Sequence, residues 1–357
     1  MTTYYTTSFR GIGQITTREL RQKFGNAPKK IRTHKVRDYD IVEFDWPDKP
    51  SPLVTLGTTE DVFFHLATIA LTGEKNDLKT LQETLQIASI EAALRAHREI
   101  QGPSRGRTTF RVIVQAQMQS WQKYRRSHMQ QAVELNVYSH YPKWRLVPDD
   151  SSLEFWLQLT GKEALLGLRL TDHSMRHRTY KTANRPASLR PTIARAIVQL
   201  TRPQDNDIFL DPMCGAGTLL IERALAGRHE MLYGGDIEPE AVSDTLENFG
   251  NKHKPHHIQH WDACKLPLPN QSVNKVAINP PWGRQIGSPS QLQSLYKSTF
   301  SEIDRVLQTG GIVSVLTSEW DLLKRVLSKT NLTLIDHIKE ISVLGRRADI
   351  FVLQKFT

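Results

Sequence analysis

A short apolar run, Val276 to Ile278, leads straight into Asn279-Pro280-Pro281-Trp282. Two successive prolines fix φ near about −65° and donate no backbone hydrogen bond. The tetrapeptide therefore reads as a rigid clamp. Asn279 supplies an amide oxygen, Pro280 a fixed carbonyl, Pro281 stiffness and Trp282 an aromatic plate. An exocyclic amine on a nucleobase suits such a clamp. Its lone pair is delocalised into the ring, and two acceptors on its N–H groups would pin the nitrogen toward an electrophile. The bland alternative is a stiff turn with an exposed Trp.

Upstream, 208-IFLDPMCGAGTLLIERALA-226 gives the pattern D-x-x-x-G-x-G between a strand and a helix. Gly215 and Gly217 let backbone approach a ligand closely. Asp211 precedes them, which suits a ligand carrying positive charge and would repel a pyrophosphate. S-adenosylmethionine, with a sulfonium and an amino group, is such a ligand. Asp236 ends the next strand 25 residues after Asp211, a spacing at which an acid accepts from ribose hydroxyls. It could instead cap the helix that begins near Pro239. Asp262 follows a short strand around Ile258, placed for an adenine amino group or for a turn. His253, His256, His257 and His260 invite a zinc reading. They lack Cys or carboxylate neighbours at ligand spacing, so no metal is expected.

The elements that must position these residues alternate. Strands are predicted at Ile208–Leu210, Met231–Gly234, Val276–Ile278 and Ile312–Leu316. Helices are predicted at Thr218–Ala226, Pro239–Phe249 and Leu292–Leu307. Such alternation gives a parallel sheet with helices on both faces, whose ligands sit beyond the strand C-termini. The first half reads as α+β. Strands fall at Tyr4–Phe9, Ile41–Phe44, 109-TFRVIVQAQ-117, Leu153–Leu159 and Ala164–Leu170. Helices fall at Thr16–Phe24, over a long stretch Asp77–Glu99, and over a basic stretch from Gln119 to Val137.

At 357 residues the chain has room for two or three domains, and 39% hydrophobic residues is enough for packed cores. No apolar run approaches the roughly 20 residues that span a bilayer, and the first residues carry no signal-peptide pattern. Only two cysteines, Cys214 and Cys264, occur; this fits a reducing cytoplasm without a disulfide framework. The net charge of +10 is localised. Between Arg95 and Arg145 ten Lys or Arg face two acids, and between Thr171 and Arg195 six face one. That is the footprint of a polyanion partner. The candidate RNA contacts are Arg105, Arg107, Arg111, Lys123, Arg125, Arg126, Arg176, Arg178, Lys181 and Arg284, although a solvated helix face would account for the 123–126 run.

Taken together, the glycine turn, Asp236, Asp262 and the NPPW clamp resemble the class I S-adenosylmethionine-dependent methyltransferases that modify amines. The segments 184-NRPASLRPTIARA-196 and 345-GRRADIFVL-353 also resemble the THUMP-domain RNA methyltransferases, above all the tRNA guanine-N2 methyltransferases of the acceptor stem. The resemblance implies a Rossmann-like α/β methyltransferase domain over 187–357, a linker over 171–186, a THUMP domain over 76–170 and a ferredoxin-like domain over 1–75. It implies S-adenosylmethionine as cofactor, held by Ser188, Leu189, Asp211, Met213, Cys214, Gly215, Ala216, Gly217, Thr218, Asp236, Ile237, Asp262, Ala263 and Asn279. It further implies a monomer acting on tRNA, gripping the 3′ CCA end and methylating guanosine at position 6. Trp282 departs from the Tyr or Phe usual in that family; it keeps the plate and alters the pocket's width. The clamp alone also permits adenine-N6 or cytosine-N4 methylation of rRNA or DNA, or a protein glutamine. A non-catalytic RNA-binding scaffold is the reading from another class, opposed by the intact motifs.

Overall fold

Two burial patterns occur among the strands, and the continuous one is found in both halves, at 4–8 and 164–168 as well as in the second half. Thr109–Gln115 alternates half-buried and buried positions, whereas 275–278 is buried throughout. Alternation marks a strand with one covered face, continuous burial a strand covered on both, as in a parallel sheet sandwiched by helices. The computed structural model describes residues 1–356 apart from 37, 104–105, 184, 186–187, 284–287 and 344. The chain divides into two compact units, Met1–Ser8 with Thr16–Met175, and Phe9–Ile15 with Arg176–Thr357. Among the described residues no helix is long and apolar enough to cross a membrane.

The first unit contains β1 (Thr2–Phe9) and α1 (Gly13–Phe24), apart from their residues 9 and 13–15, then β2 (Lys29–Lys35), β3 (Tyr39–Trp46), β4 (Asp61–Ala70), α2 (Asn76–Glu83), α3 (Ile87–Gln101), β5 (Thr109–Gln115), α4 (Arg126–His140), β6 (Arg145–Leu146), β7 (Leu153–Leu159) and β8 (Glu163–Arg169). These strands make one sheet in the order β2-β3-β1-β4-β8-β7-β5-β6. β4 pairs antiparallel with β8, so strands from either side of the boundary drawn at residue 75 share one sheet. The long helix predicted over Asp77–Glu99 is instead two, because Gln86 is extended (φ −110°, ψ 138°). Two side chains of α4 reward the break. Asn136 donates to the Leu81 carbonyl at 2.8 Å, and the His140 ring nitrogen lies 2.9 Å from the Leu85 carbonyl.

The short helix α5 (Ser174–His177) carries the chain into the second unit. There follow α6 (Pro191–Leu200), β9 (Ile208–Asp211), α7 (Thr218–Ala226), β10 (Met231–Asp236), α8 (Pro239–Phe249), β11 (His256–His260), β12 (Val273–Ile278), α9 (Pro289–Val306), β13 (Leu307–Thr317), α10 (Trp320–Leu327), β14 (Leu332–Val343) and β15 (Arg346–Lys355). The sheet order is β11-β10-β9-β12-β13-β15-β14. The first five strands are parallel; β15 runs antiparallel between β13 and β14. From β9 the chain winds outward through β10 and β11, then returns to β12 on the other side. The switch point therefore lies between β9 and β12, where the strand ends open a crevice. Ile12 and Ile15 are fully buried in this unit's core with Ile338 and Ile341, and Arg10 pairs with Glu340 at 2.8 Å.

Candidate active site

The crevice at the switch point is a cavity of about 500 Å³. Asp211 enters it from the end of β9, Asp236 from the end of β10 and Asn279 from just past β12. The glycine turn between β9 and α7 is held from below. Thr245 of α8 donates to the Gly215 carbonyl at 2.8 Å, and Asn248 donates to the Ala216 carbonyl at 2.9 Å. Gly217, at φ +77°, begins α7; a Cβ there would lie 2.7 Å from the Thr245 methyl. Gly215, at φ +53°, faces open space. One glycine is needed for packing, the other for access.

Asp236 does not cap α8, whose N-cap is Glu238 without a side-chain cap bond; it braces the turns on either side of it. One carboxylate oxygen accepts from the Gly215 amide at 2.9 Å, the other from the Glu238 amide at 3.1 Å, and the residue still lines the cavity. Each carboxylate oxygen has a second lone pair for a ligand. Asp211 is buried and accepts from the Met213 amide at 3.2 Å. Burial pushes its pKa well above the usual carboxylate value; the Met213 amide opposes the shift and the charge of Asp236 adds to it. A cation in the cavity would relieve this. The Cys214 thiol is also pushed far up by burial, so it is no nucleophile. Asp262 is exposed and accepts from the Cys264 amide at 2.8 Å, beside buried Ala263.

The clamp is tied to the neighbouring strand. Trp282 Nε1 donates to the Leu316 carbonyl at 3.3 Å, and the Tyr296 hydroxyl lies 3.2 Å from the Pro281 carbonyl and 2.8 Å from Thr317 Oγ1. Asn279 Oδ1 is different. It is buried and, among the described residues, has no hydrogen-bond partner. A buried acceptor left without a donor costs about 1–3 kcal/mol, and of the residues carrying such an atom among those described, Asn279 is the one that lines this cavity.

Of the residues expected at the donor, Ser188, Leu189, Asp211, Met213, Cys214, Gly215, Ala216, Thr218, Asp236, Ile237, Asp262, Ala263 and Asn279 line the cavity, as does Pro281. Gly217 supports the turn from outside it. Pro280 is buried and is not among the lining residues, and Trp282 walls a neighbouring cavity. Arg185, Pro212, Leu219, Glu238, Ala241 and Leu295 also line the cavity and are not among the expected residues. Leu295 comes from α9, and Arg185 reaches it through ion pairs to Glu238 and, at 3.0 Å, Asp244. No local pattern announces either. Three of the four histidine rings bond within the protein, His256 to the His253 carbonyl at 3.3 Å, His257 to Gln259 at 3.0 Å and His260 to the Ile237 carbonyl at 3.0 Å, while the His253 ring packs edge-on against Phe249; no group of three or more His, Cys, Asp or Glu among the described residues is placed for a metal.

The basic residues separate into two kinds. Arg125 and Arg126 are exposed at the start of α4. Arg107 donates to the Lys143 carbonyl at 2.9 Å, and exposed Lys123 pairs with Glu74. Arg111 is instead held by Asp149 and Glu154, and Arg178 by fully buried Glu222, which also binds Arg195. Those two arginines do structural work. Arg176 and Lys181 share a small cavity with His177 and Arg190, and Lys181 donates to the Leu189 carbonyl at 2.7 Å. Arg105 and Arg284 lie outside the described residues.

Residues 178–341 match the family model of the RMKL-like methyltransferase domain (UPF0020). The chain is similar to the protein named tRNA (guanine(6)-N(2))-methyltransferase THUMP3 of Mus musculus, 28% identical over 60% of this chain and 45% of that one. It is also similar to the tRNA (guanine(6)-N2)-methyltransferase of Methanocaldococcus jannaschii, 24% identical over 92% of this chain and 93% of that one. Among solved structures, TrmN from Thermus thermophilus superposes with a TM-score of 0.79, at 22% identity and full coverage of both chains. The chain spans a little under half the length of the mouse protein. The Rossmann-like class I methyltransferase fold expected for the second half is the fold observed.

Proposed function

We propose that this protein transfers a methyl group from S-adenosylmethionine to the exocyclic N2 of guanosine in tRNA, at position 6 of the acceptor stem. The observation that carries the reading is Asn279 Oδ1, a buried acceptor without a partner at the switch point. The matched methyltransferase domain and the names of the relatives support it. The cavity suits the methyl donor: about 500 Å³ lies within the usual range for small-molecule sites, and four carboxylates, Asp211, Asp236, Glu238 and Asp262, line it against one arginine, Arg185. Asp211 faces the charged methionine portion, Asp236 the ribose, and Asp262 with Ala263 the adenine.

When bound, S-adenosylmethionine supplies an activated methyl group on a positive sulfur. The protein's own part is positioning. Asn279 Oδ1 and the Pro280 carbonyl accept the two N–H bonds of the amine and direct its nitrogen at the donor. Trp282 offers a face for the base. Neither Asn nor Pro takes a proton; the methylated ammonium releases it to water.

A base in a stem must leave the helix, at a cost of a few kcal/mol. Contacts elsewhere on the tRNA offset this. On this reading residues 1–75 and 76–170 are the ferredoxin-like and THUMP domains of a monomeric enzyme, and they grip the 3′ CCA end. Support comes from the exposed Arg125 and Arg126 within the basic stretch. The test is mass spectrometry of nucleosides from tRNA incubated with enzyme and labelled donor. N2-methylguanosine is the expected product. Label on adenine N6 or cytosine N4, or donor binding without transfer to any RNA, would overturn the assignment.

A further inference from the structure

Trp282 walls a second cavity of about 280 Å³ with Gly283, Ser318, Glu319 and Arg346. Its place follows from strand pairing. β12 and β13 run parallel with Ile278 opposite Val315, so the clamp and the residues after Thr317 emerge side by side. The Trp282 and Tyr296 hydrogen bonds fasten the two ends together. Glu319 Oε1 lies 3.4 Å from where a Cβ on Gly283 would stand, so the glycine leaves space in front of the carboxylate. That carboxylate accepts from the exposed Ser318 hydroxyl at 3.2 Å. Among the described residues neither Glu319 nor Arg346 has an ion-pair partner, although both wall this cavity.

The bases that the clamp alone admits differ beside the amine. Guanine carries N1–H next to its N2 amine, so the edge is donor beside donor. Adenine and cytosine carry a ring-nitrogen lone pair next to theirs. A carboxylate only accepts. It bonds the first edge and repels the other two. We propose that Glu319 selects the base, accepting N1–H of the guanine whose N2 amine is held by Asn279. This rests on the amine-methylating reading of the clamp and narrows it to guanine.

Two tRNA transcripts test it, alike except for guanine or 2-aminopurine at acceptor-stem position 6. The analogue keeps the N2 amine and replaces N1–H by a lone pair. With wild-type enzyme and labelled S-adenosylmethionine, single-turnover transfer to 2-aminopurine should be slower by at least about tenfold. Glu319→Gln can turn an amide N–H toward N1, and should narrow or reverse the ratio by a similar factor. The ratio cancels any loss of folded enzyme or donor affinity in the variant. Equal wild-type rates on both transcripts, or an unchanged ratio in Glu319→Gln, overturn the role of Glu319 and leave the methyltransferase reading standing. A wild-type enzyme that binds the donor and modifies neither transcript removes that reading, and this proposal with it.

Discussion

The Asp211 carboxyl, raised in pKa by burial and by Asp236, couples pH to both stability and donor binding. A raised folded-state value means that the stabilising contribution is present below the ordinary carboxylate range. It is lost as pH rises through the folded value. A cationic donor favours the ionised form. Donor binding should therefore release a proton and tighten with rising pH over the same window. Asp211→Asn should melt higher than wild type at neutral pH without donor, bind S-adenosylmethionine about 1–3 kcal/mol more weakly, and lose that pH dependence. Scanning calorimetry and titration calorimetry check both halves; a wild-type affinity flat across the window removes Asp211 from the donor site. Asn279→Ala should cut the single-turnover rate by well over tenfold while donor affinity changes little, because its oxygen acts on the amine. A loss below about tenfold would leave Asn279 a turn residue. Asp211, Asp236 and Asn279 were legible because strand-end positions in alternating β and α segments converge on one crevice. Glu319 was not: it belongs to the site only through pairing between β12 and β13, which no local spacing encodes.

The turn between β9 and α7 separates two kinds of glycine, and substitution should separate them too. Gly217→Ala places a Cβ against Thr245 at positive φ and should destabilise the fold by about 1–3 kcal/mol. Gly215→Ala adds its methyl to the cavity side and should weaken donor binding more than it lowers the melting temperature. Equal effects of the two on melting would contradict this division. Helix α7 and helix α8 were read correctly to their ends because glycine and proline mark them. The break between α2 and α3 escaped notice because the apolar spacing of Leu78, Leu81 and Leu85 continues across it. The acceptors freed there are satisfied by Asn136 and His140, more than fifty residues away. β2 was missed for another reason: KKIRTHK is a basic, mostly exposed edge strand without a periodic apolar face.

Across the whole chain, positive charge is concentrated where the proposal needs RNA, and structural pairing removes Arg111 and Arg178 from that supply. Replacing Lys123, Arg125 and Arg126 together should weaken tRNA binding, flatten its salt dependence and leave donor binding alone. Gel-shift titrations at several salt concentrations measure this. If the first unit holds the 3′ end, a transcript lacking CCA should be methylated far more slowly, and one extra base pair in the stem should move the modified position. Full activity without CCA would leave the basic stretch as a general RNA grip.

The burial of Ile12 and Ile15 beside Ile338 and Ile341 has a consequence for biosynthesis. Arg10 and Glu340, joined at 2.8 Å, are 330 residues apart. Residues 9–15 leave the ribosome long before the strand that covers them, so the second unit cannot close its core cotranslationally until β14 and β15, which alone joins β14 to the sheet, have both emerged. A fragment cut at residue 176 would lack those isoleucines, and should be recovered from expression largely insoluble unless a peptide spanning 9–15 is supplied with it.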